Sequence, residues 1–446
     1  MAGGRQRDSQ MEQDRAAERD FVLRSAQEND VKFVRLWFTD IVGNLKGFTI
    51  AVDDLDDAIE QGVGFDGASI EGFARINESD MRAFPDPSTF TLLPWRPRQN
   101  AVARMFCDIR TPHGEPFEGD PRYTLKRNLE RLAQRGYTYY IGPELEFFYL
   151  KSSDDPQPLD NSGYFDQLSS PLAGDLRRDT VLNLGEMGIP VKYSHHEAAH
   201  SQHEIDLQYT DALTMADNVM TAKLVIKELA QIGGAYASFM PKPISSMNGS
   251  GMHSHQSLFR GNDNAFYDPD DEHHLAMVAK QFIAGLIRHA PEITLVTNQW
   301  VNSYKRLVPG YEAPVYISWS HVNRSDLIRV PSFKPGHESS VRIEYRAPDP
   351  ACNPYLTFAV MLAAGFKGIE DEYPPPTPVE GNVFSMSQEE RQARNIQALP
   401  GSMGEAIGLA EGSDLLRTAL GDHIFDSFIR NKKLEWEDYR GKVSEY

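Results

Sequence analysis

The sequence predicts an α+β protein of two domains. Short alternating strands and one brief, well-punctuated helix fill the chain up to Pro121. Beyond it, strands alternate with longer amphipathic helices over the rest of the chain. A chain of 446 residues has room for two or three domains and a large core without covalent staples.

Residues 1–18 are polar and read as a flexible tail. Residues 19–121 form the first domain and 122–446 the second. In the first, Phe21, Val22, Ser25 and Ala26 recur at helical spacing, and Asn29-Asp30 ends the pattern. VKFVRLWFTD (31–40) alternates, with Val31, Phe33 and Arg35 opposite Lys32, Val34 and Leu36. Gly43-Asn44 supplies a turn, and 45–50 a second strand. DDLDDAIEQG begins with acids and stops at Gly62, as a short helix should. Residues 85–121 are proline-rich with short strands. A basic amphipathic helix covers 122–135, and further helices fall near 175–187, 211–232, 274–290 and 353–370. A proline-rich loop (371–382) precedes a helical stretch, 387–440.

The formal net charge of −19 argues against nucleic acid or an anionic membrane as partner. The two cysteines, Cys107 and Cys352, fit a reducing cytoplasm better than a disulfide scaffold. The N-terminus carries no signal-peptide apolar segment, and no run of 18 apolar residues exists to span a membrane. GVGFDG (62–67) has the spacing of a dinucleotide fingerprint, but a charged helix precedes it and no helical period follows. There is no lysine-containing phosphate loop either, so metals and arginines must hold any ATP phosphates.

The informative feature is polar residues at period two inside apolar strands. In YYIGPELEFFYL, Glu144 and Glu146 share a face, and adjacent carboxylates there need protons, cations or a metal. A solvated face is the alternative, against which Phe148 extends the same side. SHHEAAHSQHEIDLQY packs His195, His196, Glu197, His203, Glu204 and Asp206 together, as a site or a polar loop. In GMHSHQSLF, His253, His255 and Ser257 share a face beside the turn NGSG. Arg342, Glu344 and Arg346 share another, as a site or a surface ladder. The set Glu144, Glu146, Glu197, Glu204, Glu344 and His253 is dominated by hard oxygen, which favours Mg²⁺ or Mn²⁺ over zinc, with room for two or more ions. Lys305, Arg306, Arg324, Arg329, Arg342 and Arg346 answer the acids with groups suited to carboxylate and phosphate. The residues alone therefore describe a metal-dependent enzyme acting on phosphate and a carboxylate.

FDGASIEGF, PELEFF, HHE with HEID, NGSGMHSH, NSYKRLVPGYEAP, NRS and RIEYR with NPYL occur in this order from about residue 20 to 440. Together they resemble the successive signatures of type I glutamine synthetase. The layout resembles the α subtype, and TNQWVNSYKRL and ACNPYLTFAV are similar to actinobacterial second glutamine synthetase paralogues.

The resemblance implies a β-grasp N-terminal domain, a catalytic domain with a curved antiparallel sheet surrounded by helices, and a homododecamer of two hexameric rings. It implies ligation of ammonia to L-glutamate through γ-glutamyl phosphate, with ATP as co-substrate. It assigns Glu146, Glu197 and Glu204 to one metal, and Glu144, His253 and Glu344 to a second. Asn248, Gly249, Arg306 and Arg346 would hold glutamate; His255, Ser257, Arg329 and Arg342 would hold ATP. Arg324 and Arg329 would face the transferred phosphoryl group. Asp66, Ser69, Tyr164 and Glu197 would bind ammonium, the FDGAS segment coming from the adjacent subunit, with Asp66 as base and Glu312 on the closing flap. Phe384 stands where the regulated enterobacterial type carries its adenylylated tyrosine, which removes that control. Arg75 matches an arginine tied to feedback inhibition. The resemblance also admits a γ-glutamylpolyamine synthetase and, more distantly, a non-catalytic structural or nitrogen-sensing ring. The intact ammonium and metal positions favour ammonia and catalysis.

Overall fold

The computed structural model describes residues 2–68, 70, 80–167, 170–321, 323–379 and 381–443, with side chains from residue 15 onward. The chain divides into two compact units, Met1–Tyr123 with Glu186–Gly188, and Thr124–Gly185 with Ile189–Tyr446.

The first unit opens with α1 (Ala2–Glu28). This helix is longer than the one read at 19–30, because the preceding stretch is rich in Gln, Glu, Arg and Ala and lacks proline. Val22 and Ala26, one turn apart, are its buried contacts. Then come β1 (Val31–Thr39), β2 (Leu45–Ala51), α2 (Leu55–Gln61), β3 (Val63–Asp66), β4 (Asp80–Pro85), β5 (Thr91–Leu92) and β6 (Ala101–Arg110). Gly62 closes α2 at φ 68°, where a side chain would also strike the Phe84 ring. Among the described residues the sheet order is β2-β1-β6-β4-β3, with β5 on β6. β1 and β6 are parallel and the other pairs antiparallel. A register shift between Val31 and Phe33 breaks the alternation expected for β1. Val31 consequently shares the core with Val34 and Leu36, while Phe33 is 50% exposed.

The second unit begins within α3 (Pro121–Ala133), at Thr124. Its remaining strands and helices are β7 (Thr138–Leu150), α4 (Pro171–Glu186), β8 (Val191–His196), β9 (Gln202–Leu207), β10 (Thr210–Asp211), α5 (Ala212–Ile232), β11 (Tyr236–Ser238), β12 (Met252–Arg260), β13 (Asp263–Asn264), α6 (Met277–Thr297), α7 (Ser303–Arg306), β14 (Trp319–Ser320), β15 (Ile328–Arg329), β16 (Ile343–Tyr345) and α8 (Pro354–Glu370). The helical stretch read at 387–440 divides into α9 (Gln388–Ala393), α10 (Met403–Glu411), α11 (Asp414–Leu420) and α12 (Asp422–Gly441). Gly421, at φ 79°, makes the break between the last two.

Among the described residues the sheet path is β14-β15-β16-β12-β7-β9-β8, with β10 and β11 on β7 and β13 on β12. Its pairs are antiparallel except β14 with β15. One face of β7 buries Leu145, Phe147 and Tyr149, with α5 packed against the strand. The other face presents Glu144 and Glu146. α6 and α8 approach backbone to backbone: a Cβ on Gly285 would lie 2.2 Å from the Ala364 carbonyl oxygen. Asn353 caps α8 through the Tyr355 and Leu356 amides, and Pro354 starts the helix. Cys107 and Cys352 are both buried and free. No helix among the described residues is long and apolar enough to cross a membrane.

Candidate active site

Strand register assembles the site. Across β12, β7 and β9, His253 stands opposite Glu144, and Glu144 opposite Asp206. Two residues along β7, Glu146 stands opposite Glu204, which stands opposite His195 of β8. On the other flank His255 pairs with Glu344 of β16, and Glu344 with Arg329 of β15. Directly opposed residues hold their Cβ atoms about 5 Å apart, so these pairings force the side chains into contact.

Two clusters result. Glu144, His253 and Glu344 offer ligand atoms within 4.8 Å of one another, and so do His195, Glu197 and Glu204. A third such set, Glu144, Glu204 and Asp206, joins them. Glu146 lies at the seam, its Oε1 3.9 Å from His253 Nε2. Its Oε2 accepts from the Gly251 amide at 2.8 Å and from Gln202 Nε2 at 3.1 Å. Glu197 follows β8, where its Oε2 accepts from the Ala198 amide at 2.8 Å.

The clusters differ in electrostatics. Burial raises the Glu146 carboxyl to about 8, and the Glu197 charge adds to the rise. Burial, then the charges of Glu146 and Glu144, push Glu204 well above the usual carboxylate range. Burial also raises Glu197, with the charge of the exposed Glu312 a lesser contribution. Glu144 goes the other way: burial opposes its charge, but hydrogen bonds from His253 (3.0 Å) and His255 (2.7 Å) hold it well below that range. Burial likewise opposes charge on Glu344, yet His255 and Arg346 keep it low. Three raised carboxyls thus crowd one side, where the Arg306 charge only partly offsets Glu146, while the other side carries two arginines on Glu344.

Arg329 and Arg346 both donate to Glu344, the latter through Nε at 3.1 Å. Arg346 Nη1 is buried with no hydrogen-bond partner among the described residues. Arg306, 2% exposed, donates to the Ala347 and Arg346 carbonyls at 2.7 and 3.2 Å. Gly249 must lack a side chain, since a Cβ there would lie 2.3 Å from the Pro241 oxygen and 2.9 Å from Arg306 Cγ. Arg342 Nε donates to His255 Nδ1 at 3.1 Å, so His255 presents its Nε2–H to Glu144. Beside this pair opens a cleft of about 80 Å³ lined by Tyr140, Lys192, Tyr209, His255, Ser257 and Arg342.

The chain matches the family model "Glutamine synthetase, catalytic domain" over residues 118–446 and "Glutamine synthetase, beta-Grasp domain" over 30–112. The chain belongs to the glutamine synthetase family. It is 54% identical over 435 residues to a glutamine synthetase of Mycolicibacterium smegmatis, covering 96% of this chain and 98% of the relative. It is 50% identical over 426 residues to a glutamine synthetase of Methanosarcina mazei, covering 95% of each. A solved structure of GmaS in complex with ADP superposes with a TM-score of 0.86 at 31% identity, covering 95% of this chain and 97% of that one. The β-grasp unit and the sheet-and-helix catalytic unit are those of the glutamine synthetase fold.

The six metal-ligand positions named from the glutamine synthetase resemblance all line this one sheet face, with Arg329, Arg342, Arg346 and His255 around them. Arg324 is exposed and hydrogen-bonds Tyr164, which stacks on Phe165 at 4.1 Å. Asn248 and Gly249 lie in the loop before β12, Gly249 against Arg306. Asp66 ends β3 in the first unit, its Oδ1 accepting from the Ala68 amide at 2.8 Å. Ser69 and Arg75 lie outside the described residues. Sequence reasoning grouped His195 and Asp206 with Glu197 and Glu204 without giving them a role, and left out Gln202 as well as Tyr140, Tyr209 and Lys192 of the cleft. The signal for His195 and Asp206 was their period-two spacing with Glu197 and Glu204. Nothing in the linear pattern pointed to the cleft tyrosines.

Proposed function

We propose that this chain ligates ammonia to the γ-carboxyl of L-glutamate through γ-glutamyl phosphate, using ATP and giving L-glutamine, ADP and phosphate. One observation carries this reading: two acid–imidazole clusters share a sheet face with an unpartnered buried guanidinium nitrogen of Arg346. That face lies in a chain half identical to glutamine synthetases over nearly its whole length. Three raised carboxyls and a hard-oxygen donor set fit a divalent cation.

Glu146, Glu197 and Glu204 would hold one Mg²⁺ or Mn²⁺, and Glu144, His253 and Glu344 another. When bound, such ions neutralise phosphate oxygens and favour displacement at the γ-phosphorus. Arg324 and Arg329 balance charge on the transferred phosphoryl group. Arg306, Arg346, Asn248 and Gly249 seat glutamate, with Arg346 Nη1 free to take a carboxylate. His255, Ser257, Arg342 and Arg329 bind the nucleotide, and the likeness to a structure holding ADP supports a nucleotide site here. Tyr164 and Glu197, completed by Asp66 and Ser69 of the adjacent subunit's FDGAS segment, would form the ammonium site. Asp66 removes the proton that leaves ammonia nucleophilic. Glu312 rides on a flap that excludes water from the acyl phosphate. The assembly is a cytoplasmic homododecamer of two hexameric rings, with residues 19–121 and 122–446 as its domains and Arg75 as a feedback element.

The test is an amine panel. Purified protein with ATP, glutamate and Mg²⁺ or Mn²⁺ receives ammonia, putrescine, spermine or ethanolamine, and products are identified by mass. Glutamine from ammonia is expected; turnover with polyamines alone would overturn the assignment.

A further inference from the structure

We infer that Lys242 is a positioning residue that latches the segment bearing Glu312 to the loops bearing Gly249 and Arg306. The inference rests on the functional reading above and adds a residue to which that reading gives no part. Lys242 lies after β11 and is only 7% exposed, unusual for a lysine. Its ammonium sits 3.2 Å from the centroid of the Tyr311 ring and donates to the Met247 carbonyl. A buried ammonium needs such partners, and an aromatic face with a carbonyl supplies them. The Tyr311 hydroxyl donates to the Ser245 carbonyl at 3.3 Å, so ring and hydroxyl both grip one loop.

The backbone of the same residue forms a second clasp. The Lys242 amide donates to Asn302 Oδ1 at 2.7 Å, and Asn302 Nδ2 donates back to the Lys242 carbonyl at 3.0 Å. Asn302 is the residue before α7, which ends at Arg306. Next door, the Pro241 carbonyl accepts from the Ser250 amide at 2.8 Å, beside Gly249. Lys242 therefore ties three segments together: 247–250, 302–306 and 311–312. Tyr311 directly precedes Glu312, whose charge reaches Glu197. The side-chain clasp thus sets where Glu312 stands, and the backbone clasp sets where Arg306 stands.

The chemical consequence is coupling. With the 308–312 segment loose, water attacks the acyl carbon of γ-glutamyl phosphate. The bond from that carbon to the phosphate oxygen breaks, and glutamate and phosphate leave. Each such event consumes ATP and forms no glutamine.

The test compares the wild type with Lys242→Met, Lys242→Arg and Tyr311→Leu. ADP and glutamine are quantified in the same reaction, and hydrogen exchange of residues 308–313 is followed without ligands. In Lys242→Met, ADP should exceed glutamine by about twofold or more, and exchange at 308–313 should quicken about tenfold. Lys242→Arg, which keeps a cation over the ring, should restore both. A purely structural role would lower yield or assembly and leave the ADP-to-glutamine ratio at one. An unchanged ratio with unchanged exchange in Lys242→Met overturns the latch. If that variant fails to assemble, Tyr311→Leu is read by the same two measures. A wild type that forms no glutamine would sink the functional reading, while the exchange measurement still decides the latch.

Discussion

Replacing Glu146 by glutamine should change stability in opposite directions with and without metal. The unfolded chain ionises this carboxyl near 4.5, whereas the folded chain keeps it protonated up to about 8. Between those values the folded state holds a proton that the unfolded state has lost. Wild-type stability therefore falls as pH rises through that window. At pH 7 the difference amounts to about 3 kcal/mol, an upper figure because neighbouring acids share the burden. Glutamine is neutral throughout. Its carbonyl can take the place of Oε2 and keep the bonds from Gly251 and Gln202. In EDTA at pH 8, Glu146→Gln should thus melt a few °C above the wild type, and the two should converge near pH 4.5. Manganese should reverse the order. Wild type gains about 2.7 kcal/mol at a hundredfold excess over Kd, and the variant, short of one anionic ligand, gains much less. Thermal unfolding over pH, with EDTA or MnCl₂, reads both arms. A variant less stable than wild type in EDTA at pH 8 would refute the electrostatic reasoning. An equal gain from manganese would refute the ligand assignment.

Glu344→Gln removes the charge shared by Arg329 and Arg346; kcat should fall about a hundredfold with assembly retained by sedimentation. Calorimetric titration with Mn²⁺ at pH 7, in buffers of differing ionisation enthalpy, should register release of about one proton, since Glu146, raised to about 8, enters neutral. Tyr209→Ala, in the cleft beside His255, should raise KM for ATP about tenfold and leave KM for glutamate unchanged in initial-rate assays. Gly285→Ala drives a methyl into the Ala364 carbonyl and should destabilise the protein by about 1–3 kcal/mol in thermal melts.

What was legible in the sequence is what a single element decides. Glu144 with Glu146 follows from period two within one strand, and the structure keeps both on one face; Glu344 lies in β16 with Arg342 and Arg346 just outside its two ends. Gly62 as a stop and Asn353-Pro354 as a start are equally local. Partners that depend on pairing between strands were not legible. His195 meets Glu204 only because β8 and β9 pair in one register, and Asp206 meets Glu144 only because β9 lies beside β7. A one-residue slip of β9 would send Glu204 and Asp206 to the opposite face. Tyr140 and Tyr209 reach the same cleft through the β10–β7 ladder, which pairs Asp211 with Tyr140. The register shift beside Phe33 is also a property of a pair, arising where β1 meets β6.

The two clusters should not bind cations alike. Glu144 already accepts hydrogen bonds from His253 and His255, and Glu344 is balanced by Arg329 and Arg346, which keeps both carboxyls charged against the pull of burial. A cation arriving there competes with groups that hold the same oxygens and gains little net electrostatic energy. Glu197 and Glu204 lie beside His195, and the Arg306 charge acts on Glu146, yet burial raises all three. A cation there relieves mutual repulsion and displaces protons, so this side should fill first. The other side should fill well only when an anionic phosphate draws Arg329 and Arg342 toward itself and frees Glu344. Order of filling would then be a safeguard: the cluster proposed to face the phosphoryl group would be complete only with nucleotide present.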